Sequence, residues 1–409
     1  MPAKITLALV GCGWISESHV NGYKDLWNRG CREFEVTAVC DLNPAAAKVR
    51  ADQIAAYQGS APKIFTDIAA LTAAKIADAA DVCVPHCFHH STAIPLLEGG
   101  MHVLCEKPIG ITIRATKAII AAAKRAGKVL ATAENVRRDL AARAGAWAMS
   151  EAKLIGEPIA ASVVSFAHGP LNISDPKFQW RAVKNLTGGG MIMDSGAHFT
   201  DMVLLMFGDV KSVSCTMRTL DDREIPKAPV VGKAKVDVED FWHADIRFTS
   251  GMQVSWSFSN AFHGKVQRGA TYYGRNGTMT DLGWPFHPFQ GGASLVTSTS
   301  KEMSRAEIEA AYQASLDEAT KKRLFPYGAT DGFAIEVWDF VNAIATGRAP
   351  EMDGQAGLIS KTLCECCYES ATIGRPVTFA EVLDGTVDAY QRPIDEFWKL
   401  MPAAASAAR

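Results

Sequence analysis

The sequence lacks an excess of charge of either sign. Its 409 residues include 42 Lys and Arg and 44 Asp and Glu, a formal net charge of −2. Proteins that bind nucleic acid or an anionic membrane surface need a concentrated positive charge. We therefore expect neither as a partner, and a ligand that bears phosphate would have to be bound locally by a particular loop.

Long hydrophobic runs are also missing. A membrane-spanning helix needs roughly 18–20 consecutive apolar residues, and a secretory signal needs an apolar stretch of roughly 7–15. Near the start, the apolar run ITLALV is interrupted at once by glycines. The ten cysteines are scattered through predicted strands and helices and form no disulfide framework, which is typical of a reducing compartment. We expect a cytoplasmic protein with no membrane partner.

The first 134 residues contain an alternation of apolar runs and helix-like segments. Helix-like segments at 44–57 and 112–126 lie between short apolar runs that end at small or polar residues. This alternation predicts an α/β domain with a doubly wound parallel sheet. The predicted strands are 5–13, 34–41, 63–67, 80–85, 102–108 and 129–135.

After residue 135 the runs become longer and alternate, and the hairpin dipeptides Ser250-Gly251 and Asn276-Gly277 lie at two junctions. This pattern predicts a mostly antiparallel sheet. The charged, proline-bearing segment 221–236 predicts a surface loop. The predicted strands are 158–168, 210–220, 238–249, 252–261 and 268–282, and the predicted helices are 139–154, 331–346 and 354–373. The predicted domains are 1–135 and 136–390, with a tail at 391–409 that frays after Pro402.

A glycine-rich turn follows the first predicted strand. VGCGWIS places Gly11, Gly13 and Ser16 at the spacing of a dinucleotide-binding turn, although a third Gly or Ala is usual where Ser16 stands. The first glycine permits a tight turn, the second lets a pyrophosphate approach the backbone, and the helix that follows supplies N–H donors. Asp41 ends the second strand, where a carboxylate binds the ribose diol, and no arginine follows for a 2′-phosphate. NAD is favoured over NADP.

The segment VPHCFHH at 84–90 admits two interpretations. With Cys83, its residues His86, Cys87, His89 and His90 cluster as zinc ligands do, but no second cluster completes a zinc signature. Its place after strand four favours a loop that lines the cofactor. We predict that Pro85 and His90 line the cofactor and that no metal is bound.

Two other segments carry titratable groups in unusual places. HVLCEKPIG puts Glu106 and Lys107 at the mouth of a buried strand, where unpaired charges are costly, so they pair together or contact a ligand. In GGGMIMDSGAHFTDM, Asp194 and His198 are four residues apart and would share a helix face. A carboxylate on one imidazole nitrogen leaves the other as a general base. The alternative is a core histidine.

Together these motifs resemble the glucose–fructose oxidoreductase / inositol dehydrogenase / rhizopine-catabolism (Gfo/Idh/MocA) family. The resemblance implies an N-terminal Rossmann domain and a C-terminal α+β domain with a large, mostly antiparallel open sheet. Members use NAD(P) to oxidise or reduce sugars and polyols, and the sheet often mediates oligomers, so we expect a homo-oligomer, dimer or tetramer. The matching stretches are LVGCGWIS, CDLNP, VLCEKP, AEN, WRAVKNLTGGGMIMDSGAHFTDMVLLMFGD and DFVNAIATGRAPEMDGQAGL.

The resemblance also implies roles for individual residues. Glu106 would contact the nicotinamide side, and Lys107 would reach the reacting oxygen of the substrate. Asp194 and His198 fall on the acid/base positions. The further cofactor contacts would be Trp14, Ile15 and Asn135, and the further substrate contacts Arg137, Trp180 and Arg181.

Two further segments can be interpreted in more than one way. In DLGWPFHPFQGG (281–292) the aromatic side chains either stack on a sugar or pack in a core. In CECC (364–367) the cysteines either bind a metal or pack in a helix, and packing is favoured. The residues concerned are Trp284, Phe286, His287, Phe289, Cys364, Cys366 and Cys367.

The predicted function is NAD-dependent hydride transfer between nicotinamide and a hydroxyl of a sugar, polyol or sugar derivative, held between Lys107 and His198. An alternative on the same fold is an NAD-dependent glycoside hydrolase or lyase. Such an enzyme oxidises a hydroxyl transiently, eliminates the aglycone and restores the hydride, with no net redox change. A third possibility, a regulatory protein that senses NAD, is disfavoured by the intact Lys107, Asp194 and His198.

Overall fold

The computed structural model describes residues 4–401, so the predicted frayed end after Pro402 lies outside the described residues. The chain forms two compact units that are discontinuous in sequence. Unit 1 runs up to Ile109 and includes Ala118–Trp147 and Ser304–Gly357, and unit 2 includes Gly110–Lys117, Ala148–Met303 and the chain from Leu358 onwards. The predicted boundaries at 135 and 390 follow chain order and stay predictions.

The first 150 residues alternate strands and helices. They are β1 (Ile5–Val10), α1 (Ser16–Asn28), β2 (Phe34–Cys40), α2 (Pro44–Gln58), β3 (Lys63–Phe65), α3 (Ile68–Ala74), β4 (Ala79–Val82), α4 (His89–Glu98), β5 (His102–Glu106), α5 (Ile113–Ala126), β6 (Leu130–Ala133) and α6 (Leu140–Ser150). Short 3₁₀ helices lie at His86–Phe88 and Val136–Arg138.

The next stretch is rich in strands. It contains β7 (Pro158–Phe166), α7 (Lys184–Thr187), α8 (Gly196–Phe207), β8 (Val210–Arg218), β9 (Glu224–Ala228), β10 (Gly232–Lys235), β11 (Phe241–Phe248), β12 (Gln253–Ser259), β13 (Gln267–Gly274), β14 (Gly277–Asp281), β15 (Ala293–Thr297) and β16 (Glu302–Met303), with a 3₁₀ helix at Pro176–Ala182. The last stretch contains α9 (Arg305–Ser315), α10 (Glu318–Leu324), a 3₁₀ helix at Pro326–Gly328, α11 (Gly332–Thr346), α12 (Gly354–Ile373), β17 (Val377–Thr378), α13 (Phe379–Asp384) and α14 (Arg392–Phe397).

Among the described residues of unit 1, six strands form a parallel sheet in the order β3-β2-β1-β4-β5-β6. This is the order of a Rossmann fold, in which ligands bind beyond the carboxyl ends of the strands where the strand order reverses. Alternate residues of β1 enter different cores: Leu7 and Leu9 pack with α1, α2 and α11, while Ala8 and Val10 pack with α4 and α5. Burial of both faces explains the near-continuous apolar strands.

Unit 2 is built on a large sheet with the strand order β16-β15-β14-β13-β7-β12-β11-β8-β17 in the described chain. Its neighbours are antiparallel except for β7 and β12, which are parallel. Along β11, Trp242, Ala244 and Ile246 are buried, whereas the residues between them are exposed. The predicted α/β fold with a mostly antiparallel second sheet is therefore confirmed.

The predicted surface loop at 221–236 is wrong. It contains the antiparallel strands β9 and β10, because Ile225 and Ala228 are buried and anchor the hairpin. The preceding turn is held by Asp240, whose carboxylate accepts the backbone N–H of Leu220 and Asp221. The charged residues and prolines of this segment outnumber the two buried apolar residues of the hairpin, Ile225 and Ala228, so the sequence pattern did not predict a hairpin.

In the described part of the chain, no helix is both long and apolar enough to cross a membrane.

Candidate functional site

The glycine turn after β1 has the geometry that a dinucleotide needs. Gly11 has φ +89°, and a Cβ placed there would lie 2.7 Å from the carbonyl carbon and oxygen of Cys83. A Cβ placed at Gly13 would meet nothing within 4 Å. Gly11 is therefore required by the turn itself, whereas Gly13 leaves the space beside the N-terminus of α1 open, as a pyrophosphate requires.

Ser16, the departure from the usual third glycine or alanine, is fully buried. Its hydroxyl donates to the carbonyl oxygen of Gly13 at 2.6 Å and accepts from Nε of Arg50 at 3.0 Å. Arg50 also donates through Nη2 to the same carbonyl oxygen at 2.9 Å. The serine therefore adds a hydrogen-bonded brace to the turn, and Arg50 is a contributor that the motif did not reveal.

Asp41 lies just beyond β2, beside the glycine turn. One carboxylate oxygen accepts the backbone N–H of Cys12 at 2.7 Å, and the other accepts that of Asn43 at 2.7 Å. An ionised carboxylate has about four lone-pair positions, so two N–H donors orient Asp41 and leave capacity for a ribose diol. Trp14 is exposed and Ile15 is the N-cap residue of α1, so both lie in the same turn.

Glu106, at the end of β5, rests on a histidine from α1. His19 is fully buried, with Nε2 3.0 Å from Oε1 of Glu106 and Nδ1 2.8 Å from Oδ2 of Asp81. Burial by itself would lower the pKa of His19, but the charge and hydrogen bond of Asp81 raise it well above its usual value. His19 is therefore an imidazolium between two carboxylates.

A third acid faces this imidazolium. Oε1 of Glu336, on α11, lies 3.9 Å from Nε2 of His19, and within residues 4–401 neither oxygen of Glu336 has a hydrogen-bond partner. Burial raises the pKa of Glu336 well above its usual value. Tyr23 donates its hydroxyl proton to Asp81. We name His19, Tyr23, Asp81, Glu106 and Glu336 the His19 cluster.

Two members of the His19 cluster, His19 and Asp81, lie close to Cys83, and all three are residue types that can bind a metal ion. Atoms of His19, Asp81 and Cys83 lie within 4.8 Å of one another. Both ring nitrogens of His19 are, however, hydrogen-bonded to carboxylates, and a protonated imidazole offers no lone pair to a metal. The geometry therefore favours a hydrogen-bonded ion cluster at this position.

Lys107 follows Glu106 and is half-buried, and its peptide bond to Pro108 is cis. Glu134, just beyond β6, is buried beside it. Burial raises the pKa of Glu134 to about 7, and the charge of Lys107 opposes this rise. One Glu134 oxygen accepts the backbone N–H of Val136 at 3.0 Å. A carboxyl that titrates near neutrality beside the candidate lysine was not singled out from the sequence.

The VPHCFHH segment does not assemble as a set of metal ligands. Both ring nitrogens of His89 face backbone carbonyl oxygens, of Pro108 and Val84, at 2.9 Å. Burial lowers the pKa of His90 to about 4, so its ring is neutral. Pro85 is half-buried and precedes the 3₁₀ turn. The predicted contact of Pro85 and His90 with the cofactor stays a prediction.

Asn135 and Arg137 lie in the turn that follows β6, and both are half-buried. Their neighbour Arg138 is buried and donates to Asp339 at 2.9 Å and to the carbonyl oxygen of Glu134 at 3.1 Å. This ion pair holds the turn from inside. The substrate contact of Arg137 and the cofactor contact of Asn135 stay predictions.

In unit 2 the triple glycine wraps around a buried carboxylate. Glu239 accepts the backbone N–H of Gly190 at 2.8 Å and of Ile192 at 3.0 Å, and the hydroxyl of Tyr368 at 2.8 Å. A Cβ at Gly189 would lie 2.2 Å from the Tyr368 hydroxyl oxygen. The glycines are therefore needed for packing over Glu239 and Tyr368, and this packing positions the turn that carries Asp194.

Asp194 does not lie on the helix that carries His198, which corrects the predicted shared helix face. Helix α8 begins at Gly196, and residues 191–195 form turns, because the backbone N–H groups of Met193 and Asp194 bond to Gly190. The carboxylate of Asp194 pairs with Nε of Arg181 at 2.9 Å. The orientation of His198 by Asp194 stays a prediction.

Arg181 and Trp180 come from the 3₁₀ helix Pro176–Ala182. The guanidinium carbon of Arg181 lies 4.9 Å from the ring centroid of Trp180 and 5.5 Å from that of Phe178. The structure thus brings Arg181, Trp180 and Asp194 together within unit 2. Their contact with a substrate stays a prediction.

His198 is 5% exposed and meets the ring of His287 edge to face, with ring centroids 4.7 Å apart. The cysteines of CECC are buried free thiols on α12, and burial raises the pKa of Cys364 to about 12. Thiols held in this state are weak nucleophiles and weak metal ligands. Packing therefore accounts for them.

Comparison with known protein families matches two regions of the chain. The family model described as "Oxidoreductase family, NAD-binding Rossmann fold" matches residues 5–134, and the "GFO/IDH/MocA C-terminal domain" matches residues 144–280. Together these matches span more than half of the 409 residues. They confirm the predicted family and the NAD-binding Rossmann domain.

Several individual relatives have names that describe reactions of carbohydrates. The chain is 29% identical over 313 residues to 1,5-anhydro-D-fructose reductase of Ensifer adhaerens, covering 74% of this chain and 89% of that protein. It is 27% identical over 337 residues to levoglucosan dehydrogenase of Pseudarthrobacter phenanthrenivorans, covering 72% and 79%. A solved structure of levoglucosan dehydrogenase with NADH and levoglucosan has a TM-score of 0.72 at 20% identity, covering 92% of this chain and 99% of that one.

Proposed function

This chain belongs to the Gfo/Idh/MocA oxidoreductase family, and we propose that it is an NAD-dependent dehydrogenase of a sugar, polyol or sugar derivative. The observation that carries the proposal is the NAD-type turn of unit 1, with its open space beside Gly13 and its oriented Asp41 carboxylate. Lys107 and His198 are the two groups that would handle protons in this proposal. The carbohydrate class is supported by relatives named as sugar reductases and dehydrogenases.

The residues of unit 1 fit NAD. The open space beside Gly13, the oriented carboxylate of Asp41 and the N–H groups at the start of α1 match its pyrophosphate and ribose. When bound, NAD supplies a nicotinamide ring that accepts a hydride from the substrate carbon. Glu106, held by His19, borders the nicotinamide side in this proposal.

The chain's own residues handle the proton of the substrate hydroxyl. His198 takes that proton as a general base, since a neutral imidazole has a lone pair for it. The ammonium of Lys107 donates a hydrogen bond to the same oxygen and stabilises the negative charge that develops there. Asp194 orients this region through its ion pair with Arg181. In the reverse direction the same groups return the proton.

One observation favours the alternative, a glycoside hydrolase or lyase without net redox change. Such a reaction needs a further acid/base group near the leaving group, and the imidazole of His287 lies against His198. The dehydrogenase remains the main proposal because it needs only groups from the family's own motifs. The predicted dimer or tetramer and the cytoplasmic location also stay predictions.

The deciding experiment is absorbance at 340 nm with NAD and a panel of sugars, polyols and aryl glycosides. Sustained NADH formation with a carbohydrate supports the dehydrogenase. NADH that stops rising at the enzyme concentration, while a phenol continues to be released from an aryl glycoside, would replace it with the redox-neutral glycosidase. Cofactor binding without turnover of any compound would favour the sensor of NAD.

A further inference from the structure

The segment 281–292 forms a loop with a closed neck. The buried carboxylate of Asp281 accepts the backbone N–H of Gly283 at 2.8 Å and of Phe289 at 2.9 Å. The two sides of the neck touch, since a Cβ at Gly291 would lie 2.5 Å from Cα of Gly283. Leu282 donates its N–H to Gly292 across the neck. The base of the loop is therefore closed by hydrogen bonds and by close backbone packing.

Within this loop the aromatic residues divide into two groups. Phe286 and Phe289 are 0% exposed, whereas Trp284 is 36% exposed. Phe286 packs among the core rings of Trp242 and Phe258, at centroid distances of 5.7 and 5.1 Å. Trp284 packs against Phe286 at a centroid distance of 4.9 Å, but unlike the buried pair it keeps part of its ring surface exposed.

His287 contacts His198, and Trp284 lies beside His287 in the same loop. The ring of Trp284 is 5.0 Å from that of His287, which is in turn 4.7 Å from that of His198. Nδ1 of His287 lies 2.9 Å from Oε1 of Gln290. Because an amide oxygen can only accept, Nδ1 of His287 donates this hydrogen bond.

We propose that Trp284 and His287 form a sugar-binding subsite beside His198, for a neutral pyranose ring. The indole would cover the C–H face of the pyranose, and the imidazole of His287 would hydrogen-bond a ring hydroxyl. An apolar ring surface with a few placed polar groups is the usual composition of a small-molecule site. This inference rests on the proposed carbohydrate function and names the ring that it acts on.

The ion pair of Arg181 supports a neutral ring over an acidic one. Arg181, the guanidinium of the candidate substrate segment in unit 2, is paired with Asp194 at 2.9 Å. Its charge is thus compensated inside the protein. A uronate would have to displace Asp194 from Arg181, which costs the existing ion pair. Neutral pyranosides are therefore expected to bind more tightly than the matching glucuronide.

The test is calorimetric titration of the NADH-loaded protein with neutral methyl pyranosides and with methyl glucuronide. The variants are Trp284→Ala, Trp284→Phe and His287→Gln. The matched control is Tyr273→Ala, an aromatic residue of unit 2 that is 44% exposed on β13. Trp284→Ala should weaken pyranoside binding about tenfold or more, the scale of a truncated aromatic anchor, and Trp284→Phe should restore part of it. NADH affinity and melting temperature should not change.

Each outcome bears on a different claim. If the wild-type protein binds pyranosides and Trp284→Ala binds them equally well, the subsite is wrong and the dehydrogenase stands. If Trp284→Ala loses binding but the wild-type protein turns over no sugar, the subsite stands and the dehydrogenase falls. If the wild-type protein binds no pyranoside, or only the glucuronide, the proposed subsite is overturned.

Discussion

Glu106 in unit 1 and His198 in unit 2 are held by different kinds of neighbour. Glu106 contacts the buried imidazolium of His19 at Nε2, and Asp81 stabilises the positive charge of that ring at Nδ1. His198 contacts the ring of His287, whose loop is fixed by hydrogen bonds to Asp281 at its neck and by apolar packing of Phe286. Glu106, the candidate cofactor residue, is thus held by a buried charge, whereas His198, the candidate substrate residue, contacts an aromatic ring.

The difference has a physical meaning. A buried ion cluster admits few geometries, because each carboxylate left without its partner costs several kcal/mol. Aromatic contacts are less directional and tolerate exchange of the side chains around them. An invariant ligand such as NAD suits the first arrangement, and a variable carbohydrate suits the second. The following changes, ordered from the largest expected effect, test this contrast.

Replacement of the two candidate proton carriers tests whether both units supply chemistry. We expect Lys107→Met and His198→Ala each to lower kcat by about two to four orders of magnitude, the usual contribution of an acid–base group. Steady-state NADH formation measures this, with Lys124→Met, an exposed lysine on α5, as the control. A loss in only one of the two variants would assign the proton chemistry to that unit alone.

His19→Gln tests the buried charge of unit 1. Glutamine keeps hydrogen-bonding capacity but removes the cation between Asp81 and Glu106, so the free energy of unfolding should fall by about 3–5 kcal/mol. Urea denaturation measures it. His243→Gln, at an exposed position on β11, should change it by less than about 0.5 kcal/mol. Similar values for the two variants would mean that the carboxylates need no cation.

Glu134 should make stability depend on pH. Its folded-state pKa of about 7 exceeds its ordinary value of 4.5, so the folded protein binds its proton more tightly than the unfolded chain does. This contribution is complete below about pH 4.5 and is lost as the pH rises to about 7, a change of about 3 kcal/mol.

In Glu134→Gln the side chain cannot ionise, so the unfolding free energy should fall less between about pH 4.5 and 7 than in the wild-type protein, by roughly that amount. Glu98→Gln, an exposed acid at the end of α4, should keep the wild-type pH dependence. The same pH dependence in all three proteins would show that Glu134 is ionised at neutral pH in the folded state.

Asp41→Ser should have the smallest effect. It removes the carboxylate that faces the ribose diol in the proposed NAD complex, which should weaken NAD binding about tenfold, the scale of one charged hydrogen bond. NADP binding should weaken less, since its 2′-phosphate is repelled by Asp41. Fluorescence titration with NADH and NADPH measures both, with Asp52→Ser on α2 as the control. An unchanged ratio of the two affinities would remove Asp41 from cofactor selection.

Much of unit 1 was predictable from local patterns. The strands of the parallel sheet were located to within a few residues because buried parallel strands are apolar along their whole length. The chemical groups at their ends follow directly, since these ends share one edge of the sheet. Gly11, Asp41 and Glu106 were found in this way. Ser16 was recorded as a departure, but its bond to Arg50 was not foreseen.

Unit 2 was less predictable at its candidate site. The five predicted strands fall on β7, β8 and β11–β14, but β15, β16 and β17 were not predicted. Residues 191–195 form turns where a helix was expected, and Glu239 binds the backbone N–H groups of Gly190 and Ile192 there. Glu239 is 49 residues from Gly190 in the chain. The hairpin of β9 and β10 was also missed, since two buried residues are too few to mark it.

The amino-acid sequence by itself determined the family, the Rossmann sheet, the glycine turn and the residues at the strand ends, because these depend on spacing within short segments. Only the tertiary structure decided which charged groups contact one another. His19 contacts Asp81 and Glu106, which are 62 and 87 residues away in the chain. Trp284 and Phe286 are two residues apart, yet only Trp284 is exposed. Such pairings arise from the packing of distant segments, for which a single sequence has no local signal.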